Sequence, residues 1–148
     1  MSATCFELEE IQGIRLLRLI SADDTNRLTR EVVLALTRAI SELATTAAPL
    51  LMAGNQRFFS AGADLREIAA LDATSAYEFS KMGQALMRHI DNFPAPIYAA
   101  ISGYCMGGGL DLALLAIIGS LPRMPFSGIG AQRWDLLQAG EEHNVCLA

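Results

Sequence analysis

The sequence predicts an α/β fold, and three observations carry that expectation. Apolar runs of strand length alternate with segments of helical periodicity. Hydrophobic residues make up 52% of the 148, and mean hydropathy is positive, which suggests strands covered on both faces. Two glycine-bearing segments, Phe58-Phe59-Ser60-Ala61-Gly62-Ala63-Asp64-Leu65 and Gly103-Tyr104-Cys105-Met106-Gly107-Gly108-Gly109-Leu110-Asp111-Leu112, each lie between an apolar run and a helix-like pattern. The length leaves room for one domain.

The elements follow in order. Residues 5–10 and 14–20 flank Gln12-Gly13 and read as a hairpin. Asp23 and Asp24 open a loop that reads as solvated, and Thr29-Arg30-Glu31 leads into an amphipathic helix reaching about Leu43. Residues 48–54 form a buried strand, followed by a loop. Asp64 suits the N-cap of a short helix over residues 65–71. Phe79, Met82, Leu86 and Ile90 recur at helical spacing within residues 73–92. Pro94 and Pro96 stop that helix before the next strand, residues 97–102. The second glycine segment then opens a last helix.

Composition excludes several classes. A net charge of −5 argues against nucleic acid as a partner. The apolar run over residues 110–118 is interrupted by Asp111 and is too short to span a bilayer. Met1-Ser2-Ala3-Thr4 has no signal-peptide pattern. Cys5, Cys105 and Cys146 form neither a disulfide framework nor a zinc motif, so no metal is expected and a reducing cytoplasm fits. A single lysine, Lys81, against ten arginines suggests a G+C-rich genome.

Glycine and alanine at strand-to-helix junctions let backbone N–H groups approach a ligand with no side chain in the way. Two junctions facing one another can aim two N–H donors at one carbonyl oxygen, as an oxyanion hole does. From the residues alone, a tight turn capped by Asp64 and a flexible triple-glycine loop stay open as alternatives. A dinucleotide fold fits poorly, since the stretch from Gly107 runs Gly-x-Gly-x-x-Leu without a charged ribose partner. A P-loop lacks its Gly-Lys-Ser/Thr. Ser60 lacks the G-x-S-x-G frame of a nucleophile. His89, beside Ile90, reads as a surface or partly buried histidine.

In combination the two segments resemble the crotonase family, the enoyl-CoA hydratase/isomerase superfamily, from about residue 6 to about residue 114. The resemblance implies a spiral of ββα units, here truncated, with residues 1–114 a partial acyl-CoA-binding domain. It implies that Ala63 and Gly108 supply the two oxyanion N–H groups. It also implies that Ser60, Ala61, Ala63, Asp64, Leu65, Arg66 and Gly108 contact the substrate, with Asp64 doing so as the cap of the turn. Arg66 would meet CoA phosphates or simply solvent. Coenzyme A enters as part of the substrate, and no separate cofactor is implied. The family's trimers and dimers of trimers need C-terminal helices that this chain lacks, so the fragment is expected not to assemble and to be prone to aggregation. A clean trimer by sedimentation would contradict that.

Acid–base chemistry is the departure from the pattern. Hydration of an enoyl thioester needs carboxylates to activate water and protonate the α-carbon. The family's first glutamate falls on Asp111, one methylene shorter, and no Phe-Gly-x-x-Glu segment supplies the second. Asp111 is therefore either a partial catalytic group or a helix-start acid. The chain reads as an enoyl-CoA hydratase/isomerase-type lyase or as a catalytically inactive acyl-CoA-binding remnant.

Residues 115–148 read as an out-of-frame tail. One base lost after the codon for Leu114 turns an Ala-Cys-Asp continuation into Leu115-Ala116-Ile117. Permitted codons for residues 118–148, read in the restored frame, can spell a family-like continuation containing Phe-Gly and Trp-Gly-Gly-Thr-Gln-Arg-Leu. Sequencing the gene decides this: without an open crotonase-like frame one base out of register, the idea is wrong.

Overall fold

A computed structural model describes residues 5–119, with side chains to residue 116. The hairpin forms from β1 (Phe6–Ile11) and β2 (Ile14–Leu19), antiparallel with Phe6 opposite Leu19 and Ile11 opposite Ile14. Gln12 and Gly13 both take positive φ, 52° and 80°. That is the two-residue turn whose twist matches the flanking strands.

Helix α1 (Arg30–Leu43) starts at Thr29, whose side chain accepts the Val32 N–H, and buries Val33, Leu36 and Ile40. It carries the chain to β3 (Leu50–Ala53), which lies parallel to β2. The unit β2–α1–β3 is thus a parallel crossover. The chain then runs through β4 (Phe58–Ser60), α2 (Leu65–Ala69) and α3 (Ala73–Asp91). It continues through β5 (Ile97–Ala100), β6 (Tyr104–Cys105) and α4 (Gly108–Gly119). Asp72 caps α3 in a reciprocal capping box with Ser75. The main sheet has the order β1-β2-β3-β5, and β4 pairs with β6 in a separate parallel sheet.

Two expectations need correction. The stretch between residues 54 and 65, taken as a loop, contains β4 at the start of the first motif, and β6 lies inside the second motif. These strands have three and two residues, too few to show a period. The apolar run over residues 97–102 reads as a buried strand, yet β5 is covered on one face only, with Ile97 buried and Tyr98 50% exposed. Helix α4 runs through residues 114 and 115 without a break, and Leu115 and Ala116 are buried. The remainder of the expected tail, residues 120–148, lies outside the described residues.

The core is one cluster under the sheet and helices, with Leu17, Leu36, Ile40, Met52, Phe59, Leu86 and Leu112 fully covered. One charged group joins it. Arg15, 8% exposed, donates from its guanidinium to the carbonyls of Leu43 (2.8 Å), Thr46 (3.0 Å) and Ala48, and to the Thr46 hydroxyl (2.9 Å). It thereby satisfies the last carbonyl of α1 and two in the segment that follows, at a helix end where a cation is also favoured by the dipole. Phe93 lies under it, with the ring centroid 5.8 Å away.

Candidate active site

Strand β4 runs into Ala61-Gly62-Ala63 and then α2, while β6 runs through Met106-Gly107 into α4. Because β4 and β6 are parallel neighbours, with Phe58 opposite Tyr104 and Ser60 opposite Cys105, both turns leave the same end of the sheet. Carboxyl ends of parallel strands are where α/β folds collect ligands. The structure brings the two sequence motifs together.

They abut closely. The Met106 N–H donates to the Ser60 carbonyl at 3.0 Å. Gly62 has φ +80°, and a Cβ there would stand 2.6 Å from the Met106 carbonyl oxygen and 3.3 Å from the Gly108 nitrogen. Only glycine satisfies both the conformation and the space. The Gly62 carbonyl accepts the Leu28 N–H at 2.8 Å. Since that peptide is planar and trans, the Ala63 N–H on its other side points away from Leu28. Gly108 is the first residue of α4, so its N–H has no acceptor within the helix.

The remaining residues singled out from sequence take the following places. Ala61 and Ala63 are partly exposed in the turn. Asp64 is the N-cap of α2, accepting the Arg66 N–H at 2.8 Å, and its carboxylate also meets Arg27 at 3.5 Å. Leu65 is 78% exposed and Arg66 is exposed. Asp111 sits half-buried in the first turn of α4, its N–H donating to the Gly107 carbonyl. Burial and then the Asp111 charge push the Cys105 thiol up. His89 is exposed on α3. Ser60 is the exception among the expected ligand contacts. It is fully buried, with its hydroxyl donating to the Asn26 carbonyl at 2.7 Å and accepting the Gly62 N–H at 3.1 Å. Any part it plays is exerted through the turn above it.

Asn26 escaped the sequence reading. It is 3% exposed, has φ 50°, and its side-chain amide donates to the carbonyls of Phe58 (3.1 Å) and Phe59 (3.2 Å). The one available signal was the residue type: asparagine in a polar loop tolerates the left-handed region. Nearby, Asp23 is solvated as expected but also ordered. The Thr25 hydroxyl and N–H, Ser21 and Arg27 hold its carboxyl down at about 2.

Asp64 makes the turn pH-sensitive in a defined direction. The Arg66 N–H, first, and then the Arg27 guanidinium hold its carboxyl below the ordinary 3.8. A depressed carboxylate contributes stability above its unfolded pKa and loses it as pH falls through the folded value. The Arg66 amide resonance should therefore titrate with a midpoint below 3.8 in the folded protein. A midpoint at or above it would contradict the cap.

Among the described residues, no group of three or more His, Cys, Asp or Glu side chains is placed to hold a metal ion, and no helix is long and apolar enough to cross a membrane.

Two strand–turn–helix junctions abutting on parallel strands, beside a mixed sheet of order β1-β2-β3-β5, define an α/β protein of the crotonase fold. The chain belongs to the enoyl-CoA hydratase/isomerase family, whose model matches residues 9–123. A Bacillus subtilis protein named "Probable enoyl-CoA hydratase" is 38% identical over 92 residues, 60% of this chain and 36% of that protein. The human mitochondrial methylglutaconyl-CoA hydratase is 33% identical over 109 residues, 72% of this chain and 32% of its own length. The crystal structure of an enoyl-CoA hydratase from Thermoplasma volcanium superposes with a TM-score of 0.72 at 30% identity, covering 77% of this chain and 46% of that one. The chain thus spans about a third of the length of these curated relatives.

Proposed function

We propose that this chain binds an acyl-CoA thioester and stabilises the enolate of its carbonyl between the N–H groups of Ala63 and Gly108. The observation that carries the reading is the contact of the two turns, with the Gly108 nitrogen 3.3 Å from where a Gly62 Cβ would stand. Water adding to the β-carbon of an enoyl thioester leaves negative charge on the thioester oxygen. Two fixed N–H dipoles oppose that charge, each worth about 3 kcal/mol to the transition state. The N-terminus of α4 adds to them. Ala61, Ala63, Asp64, Leu65 and Arg66 form the CoA-bearing turn, with Ser60 beneath it and Gly108 opposite. Coenzyme A enters as part of the substrate, and the cysteine usage supports a reducing cytoplasm as the setting.

Asp111 is the group that would orient water. Its carboxylate falls about 1.5 Å short of a glutamate's reach, and misplacement on that scale costs about 10²-fold. Asp111→Glu is therefore expected to raise crotonyl-CoA hydration by up to about 10²-fold, followed by loss of the enoyl absorbance. An unchanged or lower rate would remove Asp111 from the chemistry.

A second reading, a non-catalytic acyl-CoA-binding remnant, is favoured by the aspartate at 111 and by the missing second carboxylate. The infrared stretch of an isotope-labelled crotonyl-CoA carbonyl separates the outcomes. A lowered frequency with no hydration by the wild type or by Asp111→Glu supports the remnant. A lowered frequency with turnover well above background supports the enzyme. An unshifted carbonyl, or no binding, sinks the acyl-CoA reading altogether.

A further inference from the structure

Two polar side chains lie buried beneath the facing turns, and the hydration chemistry uses neither of them directly. Ser60 touches both turns at once. Its hydroxyl accepts the Gly62 N–H at 3.1 Å in the first turn, and its carbonyl accepts the Met106 N–H at 3.0 Å in the second. It also packs against α4 so closely that a Cβ on Gly109 would stand 2.6 Å from the Ser60 Cβ. Asn26 grips the same strand from the opposite side, through the carbonyls of Phe58, Phe59 and, by way of its own carbonyl, the Ser60 hydroxyl. Its backbone N–H is held by the Ser21 hydroxyl at 2.8 Å, and two residues on the Leu28 N–H holds the Gly62 carbonyl. A short loop therefore fastens β4 and its turn at successive levels.

We propose that Ser60 and Asn26 are positioning residues that fix the spacing and direction of the Ala63 and Gly108 N–H groups, an inference that rests on the acyl-CoA reading above. Ser60 is common to both turns: its carbonyl bonds the second, and its hydroxyl holds the first, through Gly62, on the same strand. Asn26 supplies the outer brace. The left-handed backbone it adopts is open to asparagine at little cost, and the two N–H groups of its amide match the two carbonyls they meet. Buried hydrogen-bonded groups of this kind keep one geometry because leaving any partner unsatisfied is costly.

The test uses the full chain with Ser60→Ala and Asn26→Asp. The aspartate keeps the shape and removes both N–H donors. Without ligand, amide hydrogen exchange at Gly62 and Met106, the N–H groups bonded to Ser60, should quicken about tenfold in each variant, while α1 and α3 keep their protection. With crotonyl-CoA at saturation, the carbonyl stretch of each variant should return towards its solution frequency, with affinity changed far less. Unaltered exchange at both amides in both variants, or a carbonyl shift fully retained in both, overturns the inference. So does a loss of protection throughout both variants, which would assign the pair to overall stability. A wild-type protein that leaves the carbonyl unshifted counts against the acyl-CoA reading, and the exchange measurements still judge the positioning role.

Discussion

Gly109→Ala is expected to destabilise the protein by about 3 kcal/mol and to drive the two turns apart, the reverse of what helix propensity alone dictates. Alanine ordinarily gains about 1 kcal/mol over glycine in a helix interior, and less in the first turn, where Gly109 stands. Here the new Cβ meets the Ser60 Cβ at 2.6 Å and the Ser60 carbonyl and hydroxyl oxygens at 2.9 Å each. None of these atoms can move cheaply, since Ser60 is fully buried and its hydroxyl is engaged with Asn26 and Gly62. The clash therefore wins over the propensity. Gly83, in α3, supplies the control, because a Cβ there meets nothing within 4 Å. Gly83→Ala should stabilise by about 1 kcal/mol. Opposite shifts of the denaturation midpoint for the same chemical change would establish the close approach. A stabilising Gly109→Ala would refute it.

Phe59→Ala should cost about 4 kcal/mol, a large share of the roughly 5–15 kcal/mol that holds a typical domain together. Phe59 is fully buried in the core cluster, and it is the central residue of the three-residue strand that carries Ser60. Its removal leaves a cavity and frees the strand whose next residue is Ser60. The loss of stability should be accompanied by faster exchange at Met106, whose N–H bonds to the Ser60 carbonyl. Phe59→Leu should keep most of the stability. A loss below about 1 kcal/mol for Phe59→Ala would mean that the site collapses to fill the space.

What could be read in the chain was local. Gln12-Gly13 between two apolar runs specifies its hairpin through positive φ, and Thr29 and Asp64 specify helix starts through their side-chain oxygens. The periodic spacing that ends in Leu86 and Ile90 specifies the buried face of α3. The two glycine segments were legible for the same reason. Their residue types state what the backbone must do, whatever surrounds them.

Contacts between distant segments were decided only by the tertiary structure. Strands β4 and β6 exist because they pair with each other, more than forty residues apart, and a two- or three-residue strand carries no pattern of its own. Arg15 shares the face of Leu17 and Leu19 on β2, and its charge is accommodated there because the last residue of α1 and the segment after it present it with carbonyls. Asn26 and Ser60 became one clamp because a loop and a strand 34 positions apart meet. Short-range chemistry sets turns and caps, because their partners lie within a few residues. Burial of a polar group depends on partners that only the folded chain brings within hydrogen-bond reach.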